Sequence, residues 1–465
     1  MKKTENNNYT SDDMTNIASN QKQKETMGNN KNNNPIYNMI LLHTGNFALS
    51  MKEAIEIYDF RRLNLGGAYT IKYNNDQIKE NNCLLQRINL LKRQKINYVF
   101  EFPDKTLFCG AYSKIFRIIL TNNDLSHNII GIIKLGSSEH PTQLISLGDS
   151  LLVALTEQKA NCNIKIFKKV NDENNAEEDK ISESYSNQIL DINDISPNKD
   201  KDMVDSNEYN DVAPPIGNSL YAKKELDIDK SFQLLQKNIN KDRKLLLAIY
   251  EIKKENNKEG NNDDFIYEFL ATSNKVYNLG DNRIEFYGVQ KIDNGKLYFS
   301  KIKVINNISC SIQVNSICQI KDKYLCVGLQ NHDLKGQISG FALLDIYTRD
   351  ICRIIRDQEI SCVYYNYQKN LLFASMEVRD IEQNYFMNKI YKVYNCIGDK
   401  GKEDISLKKI YGYRNGHSDT VSSLFEIKPL CFKPINEQEN INENIILCTS
   451  SHDSDLEVFQ TTIKI

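Results

Sequence analysis

From Asn38 onward, runs of four to eight Ile-, Val-, Leu-, Tyr- and Phe-rich residues recur, separated by turns bearing Asn, Asp, Lys and Gly. That spacing predicts short β-strands. Long stretches of helical period with caps are scarce, and Leu84–Lys95 is the best candidate for a short helix. One tetrapeptide pattern returns along the chain: apolar, charged, apolar, aromatic. It reads Ile55-Glu56-Ile57-Tyr58, Ile164-Lys165-Ile166-Phe167, Ile284-Glu285-Phe286-Tyr287, Tyr391-Lys392-Val393-Tyr394 and Leu456-Glu457-Val458-Phe459. Looser copies are Phe116-Arg117-Ile118-Ile119 and Ile338-Ser339-Gly340-Phe341. One apolar run precedes each copy, a second lies before most of them, and a further run often follows, so the repeating unit has four strands.

Four-stranded antiparallel units in series need neighbours to cover both faces of every sheet, and a closed ring supplies them. The fold predicted is therefore all-β: a β-propeller of seven four-stranded antiparallel blades, or eight if Leu220–Asn274 hides another. With 34 tail residues and about 46 loop residues set aside, seven blades average about 55 residues, against roughly 40–45 for compact repeats. The excess goes into long loops. Because little chain follows Ile463, residues near Ile36–Leu42 are expected to complete the last blade and shut the ring.

Composition refines the boundaries. Residues 1–34 are almost wholly polar and predict a disordered Asn/Lys-rich tail, leaving 35–465 as the propeller. An acidic low-complexity insertion at 170–215 carries thirteen acids against three lysines, a charge of −10. The net charge of the chain is −2, so the remainder carries +8. The insertion is expected to be a disordered solvated loop, with Ser182, Ser184 and Ser196 as modifiable positions. The overall charge balance gives no support to a strongly basic nucleic-acid clamp, and no nucleic-acid partner is expected. Eleven cysteines, several within apolar runs (Cys109, Cys318, Cys326, Cys362, Cys448), suit free thiols in a reducing compartment. No apolar run is long enough to span a membrane, and the expected location is cytoplasmic.

The most specific signal lies near the end. Gly416-His417-Ser418-Asp419 opens an apolar strand, and Thr449-Ser450-Ser451-His452-Asp453 leads into Leu456-Glu457-Val458-Phe459. This resembles a WD-repeat. The resemblance covers about one ninth of the chain and implies a buried hydrogen-bond network of His417, Thr449 or Ser451, and Asp453. Phe459 stands where that family has tryptophan, and it lacks the indole N–H donor, so the network is expected to be partial.

Chemistry is thinly represented. His417 and Asp453 have no accompanying nucleophile, so a structural role outweighs a catalytic one and no catalytic residue is assigned. The six histidines show no metal-ligand spacing, Gly66-Gly67 matches no phosphate loop, and no metal or cofactor is expected. Phe60-Arg61-Arg62 resembles the Phe-Arg-Arg of phosphoinositide-binding propellers, making Arg61 and Arg62 candidate lipid ligands. Here Leu63 replaces the usual glycine and the motif falls after the first blade. Arg87, Lys92, Arg93 and Lys95 form a basic cluster. The function that follows is a non-catalytic scaffold whose rim loops meet protein partners. A membrane-surface propeller and a propeller hydrolase with a central-channel site are the alternatives.

Overall fold

The computed structural model describes residues 35–63, 71–73, 78, 82–90, 95–121, 123–158, 161–170, 232–236, 246–254, 265–273, 283–291, 296–306, 316–329, 339–378, 384–397, 403–427 and 442–464. The sequence expectations for the tail at 1–34 and for the acidic insertion lie outside these residues, apart from Val170. Among the described residues there are seven four-stranded antiparallel sheets.

Blade 1 is β1 (Asn38–Leu41), β2 (Phe47–Ser50), β3 (Ala54–Tyr58) and β5 (Leu84–Asn89). Between β3 and β5 in the chain comes β4 (Ile71–Tyr73), which belongs to the last sheet. Blade 2 is β6 (Ile96–Glu101), β7 (Leu107–Ala111), β8 (Lys114–Thr121) and β9 (Ser126–Lys134). Blade 3 is β10 (His140–Leu147), β11 (Leu151–Gln158), β12 (Asn161–Lys169) and β13 (Phe232–Gln236). Blade 4 is β14 (Leu246–Ile252), β15 (Phe265–Ser273), β16 (Arg283–Lys291) and β17 (Leu297–Asn306). Blade 5 is β18 (Ile317–Ile320), β19 (Tyr324–Leu329), β20 (Gly340–Asp345) and β21 (Asp350–Arg356). Blade 6 is β22 (Glu359–Asn366), β23 (Leu371–Val378), β24 (Tyr385–Ile397) and β25 (Glu403–Arg414). Blade 7 is β26 (Val421–Glu426), β27 (Asn442–Ser451), β28 (Leu456–Lys464) and β4. The region 220–274 therefore supplies the outer strand of blade 3 and two strands of blade 4. It holds no eighth blade among the described residues.

The recurrent tetrapeptide explains the ring. Strand side chains alternate between faces, so its first and third residues turn to the following blade and its second and fourth to the preceding one. Ile55 and Ile57 join Val99 and Phe116 of blade 2, whereas Tyr58 joins Ile446 and Val458 of blade 7. Ile164 and Ile166 meet Phe269 and Tyr287 of blade 4, while Phe167 meets Phe108 of blade 2. Seven apolar clusters result, one at each blade–blade boundary. Register corrects the tetrapeptide in three blades. The structural equivalents are Ile115–Ile118, Phe341–Leu344 and Asn388–Tyr391, offset by one or three residues from the copies read in the sequence.

A second repeat is visible only in the backbone. The first strand carries a β-bulge at one fixed place in five blades, between Ile96 and Tyr98, Pro141 and Gln143, Leu246 and Ala248, Ile360 and Cys362, and Val421 and Ser423. A bulge leaves one residue unpaired. Where that residue is Thr142, Ser361 or Ser422, its hydroxyl donates to the second strand, to the carbonyls of Leu155 (3.2 Å), Ser375 (3.1 Å) and Ser450 (3.2 Å). Gly328 on β19 admits the next blade closely, since a Cβ there would lie 2.7 Å from Ile360 Cγ2.

Two sequence expectations are corrected. Leu84–Lys95 is no helix: Leu84–Asn89 is the outer strand of blade 1, paired with β3 from Ala54 to Tyr58. Pairing along a neighbour's free edge outweighs so short a helical period. Residues near Ile36–Leu42 do not complete the last blade either. They form the inner strand of blade 1, and the outer strand of blade 7 is β4, with Phe459 opposite Lys72. The long connection after β3 reaches the neighbouring sheet because β28 offers an unpaired edge beside it.

Candidate functional site

In blade 7, His417 precedes β26, Thr449 lies on β27, and Asp453 sits in the β27–β28 turn. His417 Nε2 is 2.8 Å from Thr449 Oγ1, and its Nδ1 lies 3.4 Å from Asp453 Oδ1. Asp453 also accepts the Ser418 N–H at 2.6 Å and the Asp455 N–H at 3.0 Å. Burial works to raise its pKa, but His417 and the two backbone N–H groups outweigh burial and hold the carboxyl well below its ordinary range. Ser451 stands outside this line. Its hydroxyl donates to the carbonyls of Asp419 (2.9 Å) and Thr420 (3.0 Å), fixing the loop before β26. Phe459 stacks on Tyr413 of blade 6, centroids 3.6 Å apart, so the ring serves the blade boundary.

Other blades carry polar nodes of different chemistry at the second tetrapeptide position. In blade 3, buried Lys165 pairs with buried Glu139, which also accepts Thr156 Oγ1 at 2.7 Å and the Gly136 N–H at 2.9 Å. In blade 6, Lys389 pairs with Asp357, which accepts Tyr391 Oη at 2.5 Å. Glu139 and Asp357 occupy the place before the first strand that His417 occupies in blade 7. In blades 1 and 4 the node is an acid under a tyrosine: Tyr58 donates to Glu56 at 2.7 Å and Tyr287 to Glu285 at 2.5 Å. Arg87 lies 3.2 Å from Glu56, and Arg283 lies 3.1 Å from Glu285. Sequence reasoning placed the charged positions but missed Glu139 and Asp357, which sit in connections without a motif.

Arg61 and Arg62 lie in a 3-10 turn, Phe60–Arg62. The Arg61 guanidinium is bonded on three sides, to Asp59 Oδ1 (2.6 Å), Asn46 Oδ1 (2.6 Å) and the Thr44 carbonyl (3.1 Å). Arg62 donates to the Asn82 carbonyl at 2.9 Å, with its side chain 44% exposed. Of the basic cluster, Arg87 is spent on Glu56, Lys92 and Arg93 fall outside the described residues, and Lys95 lines a cavity.

That cavity, about 410 Å³, opens where the first strands of blades 1 to 3 begin. Tyr37 and His452 form one wall, ring centroids 6.4 Å apart. Tyr112, in the β7–β8 turn, and His140, at the start of β10, form another, at 5.1 Å. The bulge residues Asn97 and Thr142 lie between them. Lys95 holds its ammonium over the Tyr37 ring, 4.1 Å from the centroid. Glu157 faces His140 across the β10–β11 pair.

The architecture is that of a seven-bladed β-propeller. No family model and no curated protein matches the chain. Among solved structures it is similar to Saccharomyces cerevisiae Sqt1, at 8% sequence identity and a TM-score of 0.47, over 93% of this chain and 97% of that one. No helix among the described residues is long and apolar enough to cross a membrane.

Proposed function

We propose that this chain is a WD-repeat-type propeller acting as a non-catalytic scaffold in the cytosol, its rim loops receiving protein partners. The observation that carries this reading is where the titratable groups are spent. Glu139, Asp357, Asp453, Glu56 and Glu285 are each tied to a lysine, arginine, histidine or tyrosine within the blades. A general acid or base has to reach a substrate proton, and these groups are committed to neighbouring strands. In the cavity the carboxylate is Glu157, and it makes no hydrogen bond to His140 or His452 among the described residues. That falls short of the acid–base pair a hydrolase would need.

Affinity capture with the full chain from native lysate tests the reading. Partners should be recovered and then lost on substitution of the loops that open at the ends of the blades. A chain that captures nothing under gentle conditions would remove the case for scaffolding. A phosphoinositide surface at Arg61 and Arg62 is the weaker proposal, since Arg61 is bonded internally. Vesicles containing phosphoinositide, offered to the Arg61→Ala/Arg62→Ala chain, test it by sedimentation.

A further inference from the structure

The cavity between blade 7 and blade 3 has an unusual balance of committed and uncommitted groups. Among the described residues the Lys95 ammonium makes no hydrogen bond and no ion pair, and its contact is with the face of Tyr37. The phenols of Tyr37 and Tyr112 and the imidazoles of His140 and His452 likewise hold no hydrogen-bond partner there. Partial burial lowers the pKa of Lys95, an effect that Glu157 opposes without forming a pair. The ammonium therefore has a carboxylate nearby but no hydrogen-bonded partner among the described residues, and an incoming anion would supply one.

Tyr112 holds a left-handed turn position, φ +52°, and the residue is 52% exposed with its ring 5.1 Å from that of His140. Asparagine or glycine would make the same turn at lower cost, so the side chain at this position can be changed without loss of the turn.

We infer that the cavity is a docking site for a carboxylate side chain on an extended acidic segment of a partner protein, with Lys95 as the anchoring cation and the Tyr37 and Tyr112 rings as the walls. The inference deepens the scaffold reading and rests on it. A volume near 410 Å³ suits one or two side chains more than a whole domain. The +8 charge outside the acidic insertion favours approach of an acidic chain. Glu157 also lines the cavity, and Asp419 and Asp453 act on His452, so the site has room for one acid beside Lys95 and discourages a second.

Fluorescence anisotropy with the full chain tests it, using a fluorescein-labelled hexapeptide of alternating Glu and Tyr and a counterpart with Lys in place of Glu. The Glu peptide should bind at least tenfold more tightly than the Lys peptide. Lys95→Met should weaken it at least tenfold, whereas Lys95→Arg should retain most of the affinity. Tyr112→Asn should weaken binding while raising the melting temperature, which separates lost recognition from lost folding. Preference for the Lys peptide, equal binding by wild type and Lys95→Met, or no binding of the Glu peptide would overturn the inference. Partner capture that survives Lys95→Met would overturn it too while leaving the scaffold reading standing.

Discussion

The side-chain amide of Gln143 on β10 makes a two-bond ring with the backbone of Ile249 on β14. Its Nε2 donates to the Ile249 carbonyl at 2.8 Å and its Oε1 accepts the Ile249 N–H at 2.7 Å. Asn38 treats Val99 in the same way, at 2.9 Å for both bonds, and Ser423 accepts the Met39 N–H at 2.9 Å. Inner strands of neighbouring blades splay apart and cannot pair as a continuous ladder, so side chains satisfy the backbone groups left between them. Gln143→Leu keeps the volume but leaves two buried backbone groups unpaired. Each such group costs about 1–3 kcal/mol. Urea unfolding should show a loss of about 2–4 kcal/mol, and a change below about 0.5 kcal/mol would mean that water replaces the amide.

Such amides are hard to foresee, and they mark where the sequence stops being legible. The alternation of Ile55, Ile57 and their counterparts survives because every blade must present an apolar face to each neighbour. In β24, thirteen residues long, that alternation admits two readings, and register alone selects Asn388–Tyr391 over Tyr391–Tyr394. His417, Thr449 and Asp453 were legible because their spacing lies within one repeat. Glu139 and Asp357 were not, since each is recognisable as a node only beside its lysine. The strand β4 lies beyond local pattern altogether, because its partner is some 390 residues away in the chain.

Lys165 and Glu139 offer a direct measure of what a buried pair contributes. Both side chains are under 10% exposed. Removing one partner leaves an uncompensated charge and costs about 3–5 kcal/mol, whereas replacing both by apolar groups is often neutral. Lys165→Met and Glu139→Leu should each be severely destabilising, and the double variant should be closer to wild type than either. A double-mutant cycle in urea reads this. Additive losses would show that the two charges are solvated independently.

Asp453 and Asp357 make stability depend on acid pH. At Asp357, burial works to raise the pKa, and Lys389, Tyr391 and the Gln358 N–H outweigh it. Both carboxyls thus release their protons more readily folded than unfolded, where the ordinary value is 3.8. Their contribution is full above about pH 5 and is lost as pH falls below about 4. Asp453→Asn should lower stability at pH 7 and show a shallower further loss between pH 5 and pH 3. Parallel curves for wild type and variant would place the acid sensitivity elsewhere.

Blade 7 borrows its outer strand, β4, from the connection between β3 and β5 of blade 1. The three residues of β4 pair with β28, Ile71 opposite Gln460, Lys72 opposite Phe459 and Tyr73 opposite Val458. Successive N–H groups of a strand point to opposite sides, so two adjacent prolines must remove at least one donor that faces the partner. Ile71→Pro/Lys72→Pro should therefore release the outer edge of blade 7. The expected result is faster proteolysis within residues 442–464, with cleavage in blades 2 to 5 unchanged. Deleting residues 35–42 removes the inner strand of blade 1 together with Asn38, and should lower the melting temperature of the whole propeller. The proline variant acts at the outer edge of one blade, so its fall in melting temperature should be smaller. Equal falls would mean that β4, three residues long, holds the ring as firmly as an inner strand does.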